Sequence, residues 1–127
     1  MGYILDTHTI IWFLEGNNKL SKRAREIIEE TESRKYVSIG SIWEIAIKVS
    51  LEKLVLGKSL EAFLFDLSQT NIAIVPIKLS HTLRLSKLEF FHRDPFDRLI
   101  IAQSIEENFE VLTRDPSFPA YSIVTHW

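Results

Sequence analysis

The chain opens on an apolar run, Tyr3-Ile4-Leu5, that stops at a carboxylate, Asp6. A short unbroken apolar stretch closed by a polar residue reads as a buried strand. His8 to Glu15 has helical character, and Gly16-Asn17-Asn18 ends it. Ser21 caps a second helix whose apolar stripe is Ala24, Ile27 and Ile28. Tyr36 to Ile39 is a second strand. Ser41 is expected to cap a third helix, with Ile42, Ile45, Ala46 and Val49 at helical spacing. Leu54 to Gly57 is a connector, and Ser59 caps a helix carrying Leu60, Phe63, Leu64 and Leu67 on one face. Ile72 to Val75 is a third strand, ended by Pro76. Ser80 starts a short helix to about Leu85, and Leu88 to Arg93 is a loop with two exposed phenylalanines, Phe90 and Phe91. Asp94-Pro95 starts the clearest helix, which runs to about Asn108. Glu110 to Thr113 is a fourth strand and Ser122 to Val124 a short fifth.

Strands that alternate with helices imply a mainly parallel sheet covered on both faces, here an α/β fold: a three-layer α/β/α sandwich with a five-stranded sheet. Right-handed crossovers then place the strand C-termini along one edge. No repeat, low-complexity tract or linker interrupts the pattern, so residues 1–127 read as one domain.

Composition narrows the class. Hydrophobic residues make up 46% and charged residues 25% of the 127, an ordinary globular balance. Apolar runs such as Ile10 to Leu14 are too short to span a bilayer, and the N-terminus lacks the basic region of a signal peptide. There is no cysteine, which excludes disulfides and thiolate zinc sites. A cytoplasmic protein is expected. The net charge of −2 neither demands nor forbids a nucleic-acid partner. The basic groups at Lys19, Lys22, Arg23 and Arg25, at Arg34 and Lys35, and at Arg93 and Arg98 read mostly as solvated faces.

The chemistry lies in the carboxylates. Asp6, Glu44, the Asp94/Asp97 pair and Asp115 each fall where a strand ends or a helix begins. In a parallel sheet those points gather on one edge, and acids converging there repel one another unless a divalent cation lies between them. Each has a plainer explanation. Asp6 can cap the first helix. Glu44 completes a capping box with Ser41 in the first helical turn. Asp94 is a natural N-cap before Pro95, which leaves Asp97 as the functional member of that pair. Asp115, before Pro116, suits an Asx turn. Joint placement at four such junctions carries more weight than any one residue. Oxygen-only ligands of this number suit Mg²⁺ or Mn²⁺. Such a site supports hydrolysis of phosphodiesters.

Other side chains carry less. His8, His81, His92 and His126 show no metal-ligand spacing, although His92 lies close to Asp94. Ser38 and Thr113 can support a neighbouring acid, and Arg98 can hold a phosphate or pair with an acid. Trp12 and Trp43 are expected in the core. No phosphate-binding glycine loop, nucleophile elbow or zinc-protease motif is present.

Four stretches together carry a resemblance: Tyr3-Ile-Leu-Asp-Thr-His-Thr-Ile-Ile-Trp12, Ser38-Ile-Gly-Ser-Ile-Trp-Glu-Ile-Ala-Ile-Lys48, Asp94-Pro-Phe-Asp-Arg-Leu-Ile-Ile-Ala-Gln103 and Leu112-Thr-Arg-Asp-Pro-Ser-Phe118. In their order and spacing the chain resembles PIN-domain ribonucleases, and within them the VapC-type toxins of prokaryotic toxin–antitoxin pairs. The resemblance implies Mg²⁺- or Mn²⁺-dependent endoribonuclease activity and maps the family's acidic quartet onto Asp6, Glu44, Asp97 and Asp115. Asp6 and Asp97 would be the firmest ligands, with Glu44 and Asp115 completing the site directly or through water. It further implies an RNA substrate, a homodimer and a cognate antitoxin protein. The apolar residues nearly all round His8 to Leu14 allow a partner contact there, or burial between sheet and helix. Two other classes compete. A receiver- or phosphatase-like phosphoryl-handling protein fits poorly, because Asp6 is followed by Thr7 and His8 rather than by the acids those sites use. A non-catalytic module, whose acids merely cap helices, leaves unexplained why Ser or Asn does not serve as well.

Overall fold

Every strand pairing in this fold is parallel. The computed structural model describes residues 2–127. Strands β1 (Gly2–Leu5), β2 (Arg34–Ser38), β3 (Ile72–Val75), β4 (Glu110–Leu112) and β5 (Thr125–His126) form one sheet in the order β3-β2-β1-β4-β5. The helices are α1 (Thr7–Glu15), α2 (Lys22–Glu29), α3 (Ile39–Ser50), α4 (Leu60–Ser68), α5 (Leu79–Ser86) and α6 (Pro95–Glu107), with a 3-10 turn at Phe118–Tyr121.

The strand period of two divides the apolar residues between two cores. Leu5, Val37 and Leu112 pack with Ile10, Ile11, Ala24, Ile27, Ile28, Ile45, Phe63 and Leu67 from α1 to α4. Their neighbours Ile4 and Val111 point the other way, onto Ile100 and Ile101 of α6 and onto Phe118. Each large side chain so buried contributes roughly 1.5–3 kcal/mol. This is the α/β/α sandwich that the alternating pattern predicts.

The strand order fixes where a site can form. From β1 the chain steps outward through β2 to β3, then returns to lay β4 on the opposite flank of β1. The crossovers diverge between β1 and β4, so a crevice opens beyond the C-terminal ends of those two strands. The register pairs Leu5 with Leu112, and the Asp6 N–H continues the ladder to the Leu112 carbonyl at 3.2 Å. Gly40 adds a close approach: a Cβ there would lie 2.5 Å from Leu99 Cδ2, so glycine lets α3 lean on α6.

Local capping chemistry set several boundaries as predicted. Ser21, Ser59 and Asp94 each accept a hydrogen bond from the first turn of their helix, and Gly16 ends α1 at φ 64°. The third helix differs. Its cap is Ser38, whose hydroxyl accepts from Gly40 N–H at 3.0 Å, so α3 begins with no loop after β2. Ser41 lies inside the first turn and Glu44 beyond it, so no capping box joins them. The fifth strand lies at Thr125–His126 rather than Ser122–Val124, because the 3-10 turn ends at Ser122 with φ 57°. Two basic residues are not solvated. Lys35 is buried, donating to the carbonyls of Glu30 and Ser33. Arg98 is buried too, with consequences described below.

Candidate metal centre

Asp6 follows β1 directly and caps α1. Its Oδ1 accepts from the Thr9 N–H at 2.9 Å and from the Thr9 hydroxyl at 2.6 Å, while its Oδ2 accepts from the Thr113 hydroxyl at 2.5 Å. Burial pushes its pKa above the ordinary carboxylate value, against the opposing bonds from Thr113 and Thr9. The cap and the site position are therefore the same residue.

Glu44 is buried on α3. Thr7 donates to its Oε1 at 2.7 Å and Lys48, one turn on, to its Oε2 at 2.5 Å. The Glu44 bond, followed by the charges of Asp94 and Asp97, holds the Lys48 ammonium above its usual pKa.

Asp94 is the cap of α6, its Oδ1 accepting from the N–H groups of Phe96 (2.9 Å) and Asp97 (3.0 Å). Asp97 caps nothing. Its carboxyl is pushed up to about 7, first by burial, next by the charge of Asp94, and further by Asp6 and Glu44, with His92 opposing. Asp115 lies just past β4. Its Oδ1 accepts from Ser117 N–H at 2.8 Å, and its own N–H donates to the Thr113 hydroxyl at 3.0 Å. Burial works to raise its pKa, but the bonds from Ser117 and His92 outweigh it and leave it below the ordinary value.

His92 is the residue that spacing alone did not place. Its Nδ1 accepts from Asp94 N–H at 3.2 Å, which assigns the ring proton to Nε2. That Nε2 lies 3.0 Å from Asp97 Oδ2 and 2.9 Å from Asp115 Oδ2. His92, Asp97 and Asp115 thus each bring one ligand-type atom within 4.8 Å of the others. The available signal was the two-residue step from His92 to the helix cap Asp94.

Arg98 turns its guanidinium to backbone carbonyls and pairs with no acid among the described residues. Its guanidinium donates to the carbonyls of Glu89 (2.9 Å), His92 (3.2 Å), Leu85 (3.2 Å) and Leu88 (3.3 Å), beneath the Phe90 ring. Tyr121 joins this clamp by donating to Glu89 O at 2.6 Å and accepting from His92 N–H at 2.9 Å. Together they fasten the loop that carries His92. Trp43 is not in the core: it is 61% exposed, edge-on to Phe96. Trp12 is half-buried.

Asp6, Asp97 and Asp115 line one open cavity of about 300 Å³ with His8, Trp12, Arg114 and Pro116. Glu44 does not line it, but its charge reaches Asp97. The carboxylate oxygens of Asp6, Asp97 and Asp115 fit a hard divalent cation, and Asp97, raised first by burial, also faces the charges of Asp94, Asp6 and Glu44, which a cation would offset.

Comparison with known proteins gives a consistent picture. The family model described as PIN domain matches residues 3–124. Ribonuclease VapC22 of Mycobacterium tuberculosis is 28% identical over 114 residues, spanning 88% of this chain and 85% of that protein. Among solved structures, VapBC2 from Rickettsia felis, bound to a DNA fragment from its promoter, superposes with a TM-score of 0.75 at 18% identity, over 99% of this chain and 98% of that one. FitAcB from Neisseria gonorrhoeae superposes at 0.70 with 20% identity, over 98% and 96%. These two likenesses concern the fold.

Proposed function

Because the chain belongs to the PIN domain family, we propose that it is a metal-dependent endoribonuclease, the toxin of a toxin–antitoxin pair. The observation that carries this reading is the meeting of Asp6, Asp97 and Asp115 around one cavity at the β1/β4 switch point. Capping accounts for Asp6 and Asp94. It does not account for Glu44, which lies beyond the first turn, or for Asp97, which caps nothing and is crowded by three other acids. A module that used its acids only as caps would have no reason to bear that repulsion.

In this reading Asp6 and Asp97 hold Mg²⁺ or Mn²⁺, and Glu44 and Asp115 complete the site directly or through water. When bound, the cation supplies Lewis-acid charge to the phosphodiester and makes a water more acidic. The chain's own residues supply order. Thr9 and Thr113 fix both oxygens of Asp6, and each oxygen keeps lone-pair capacity. Thr7 and Lys48 fix Glu44 in the same way. His92 Nε2–H holds Asp97 and Asp115 at one spacing, so little rearrangement is needed on loading.

The proposed partners are RNA as substrate, a protein antitoxin and a second copy of the chain, with the cytoplasm as the site of action. Among the described residues no helix is long and apolar enough to cross a membrane. The deciding experiment incubates purified protein with a pool of structured RNAs, with Mg²⁺ or Mn²⁺ and with EDTA, beside Asp97→Asn. Metal-dependent cutting that the variant lacks is the expected result. Intact RNA together with no metal-induced shift in Tm would favour the non-catalytic module.

A further inference from the structure

Arg114 immediately precedes Asp115, is exposed, and lies with its Cζ 4.7 Å from the centre of the Trp12 ring. The indole is itself held in place: Trp127 meets it edge-on at 5.8 Å and His8 lies tilted against it at 5.6 Å. Arg114 takes part in no side-chain hydrogen bond or ion pair among the described residues, although Asp6, Asp97 and Asp115 line the same cavity. Its place is therefore set by stacking on the indole, and its donors stay free. Lys19, with its ammonium 6.0 Å from the same ring, adds positive charge. The cavity is thus acidic where Asp6, Asp97 and Asp115 meet and cationic and aromatic along the wall formed by His8, Trp12 and Arg114.

We infer that Arg114, laid on Trp12, binds the RNA phosphate next to the one that is cut. The inference rests on the ribonuclease reading and adds to it a subsite outside the acidic quartet. A strand that brings its scissile phosphate to the acids must carry a neighbouring phosphate past the rim of the same cavity. A guanidinium with free donors matches that group by two parallel N–H bonds. An indole beneath it costs no desolvation of a rival anion and leaves the fork pre-organised. An acidic peptide is the poorer occupant, since it would bring carboxylates to a cavity already crowded with them. A nucleic-acid strand instead offers flat bases that can meet the exposed His8 ring, a sequence-tolerant contact.

The test measures anisotropy of a labelled single-stranded RNA with Asp97→Asn protein in Mg²⁺, which keeps the RNA uncut, across a salt series. Adding Arg114→Gln is expected to weaken binding about tenfold and to lower the salt slope by about 0.7. Arg114→Lys should keep the slope and recover only part of the affinity. In otherwise wild-type protein, Arg114→Gln should raise KM more than it lowers kcat. Arg114 is exposed, so its substitution does not put folding at risk. Unchanged affinity and slope in Arg114→Gln would overturn the subsite while leaving the nuclease intact. Unchanged RNA binding with weakened capture of an acidic protein partner would overturn it too, and would give the wall to that partner. Wild-type protein that leaves all RNA intact would remove the ribonuclease reading itself, whatever stands at position 114.

Discussion

Thr113 donates its hydroxyl proton to Asp6 Oδ2 at 2.5 Å, a bond that ties the end of β4 to the end of β1 across the switch point. The same hydroxyl accepts from Asp115 N–H, so one threonine orders two of the acids. Thr113→Val keeps the shape and removes both contacts. It is expected to destabilise the protein by about 1–3 kcal/mol, the cost of a lost bond to a buried charged group. The burial-raised pKa of Asp6 should rise further, since the Thr113 bond is the largest influence holding it down. The deficit should therefore grow as pH rises and the carboxylate ionises. Urea unfolding at pH 5 and pH 8, without metal, reads this directly.

Asp97→Asn should abolish cleavage and yet stabilise the metal-free fold. A carboxyl raised to about 7 in the folded state, against 3.8 as its ordinary value, binds more protons folded than unfolded between those pH values. Stability from this group is therefore lost as pH rises from about 4 through 7. The variant escapes that loss, so its advantage should be absent near pH 4 and reach up to about 4 kcal/mol above pH 7. Mg²⁺ should stabilise the wild type and not the variant. A lower Tm for the variant at pH 8 without metal would count against carboxylate crowding.

Asp94 separates cap from site. Asp94→Asn should keep activity and stability near wild type, because Asn accepts the same bonds from Phe96 and Asp97. Asp94→Ala should cost about 1 kcal/mol and loosen the first turn that carries Asp97. If Asp94→Asn were inactive and Asp97→Asn active, the two assignments would be exchanged. Tm and RNA cleavage, measured on both variants, decide it.

Arg98→Met tests the clamp under the His92 loop. The variant keeps most of the aliphatic stem but removes the donor shared by four carbonyls; Glu89 O keeps Tyr121 and Leu85 O keeps the Leu88 N–H, while those of Leu88 and His92 are stranded. A loss of about 3 kcal/mol is expected, with early proteolysis between Leu85 and Arg93. Activity should fall with it, through displacement of His92 from Asp97 and Asp115. A stable variant with an intact loop would show that the guanidinium is replaceable.

Where structure is decided by neighbours in sequence, the chain was readable. The caps at Asp6, Ser21, Ser59 and Asp94 and the stop at Gly16 are local chemistry, and all were found. Ser38 was passed over for Ser41 because both precede the same apolar stripe; only the absence of a loop after β2 separates them. The strand order was beyond local reasoning, since nothing near β4 says that it pairs with β1. The same holds for single side chains. Arg98 reads as a surface cation until the loop folds over it, and Trp43 reads as core until α3 turns it outward. The four acids stood out as junction residues. That His92 joins two of them, while Glu44 stays outside the cavity they line, needed coordinates.

The position of β4 beside β1 also has a temporal meaning. Asp6 is synthesised 109 residues before Asp115, and β1 gains its second neighbour only when residues 110–112 are available. Until then the β1 flank is open, Asp6 lacks Thr113, and Asp97 has no Asp115 to face. A nascent chain therefore carries its acids unassembled. If the protein cuts RNA, the ribosome translating it faces an inert polypeptide until residues 110–115 have emerged, and competence arrives with that one segment.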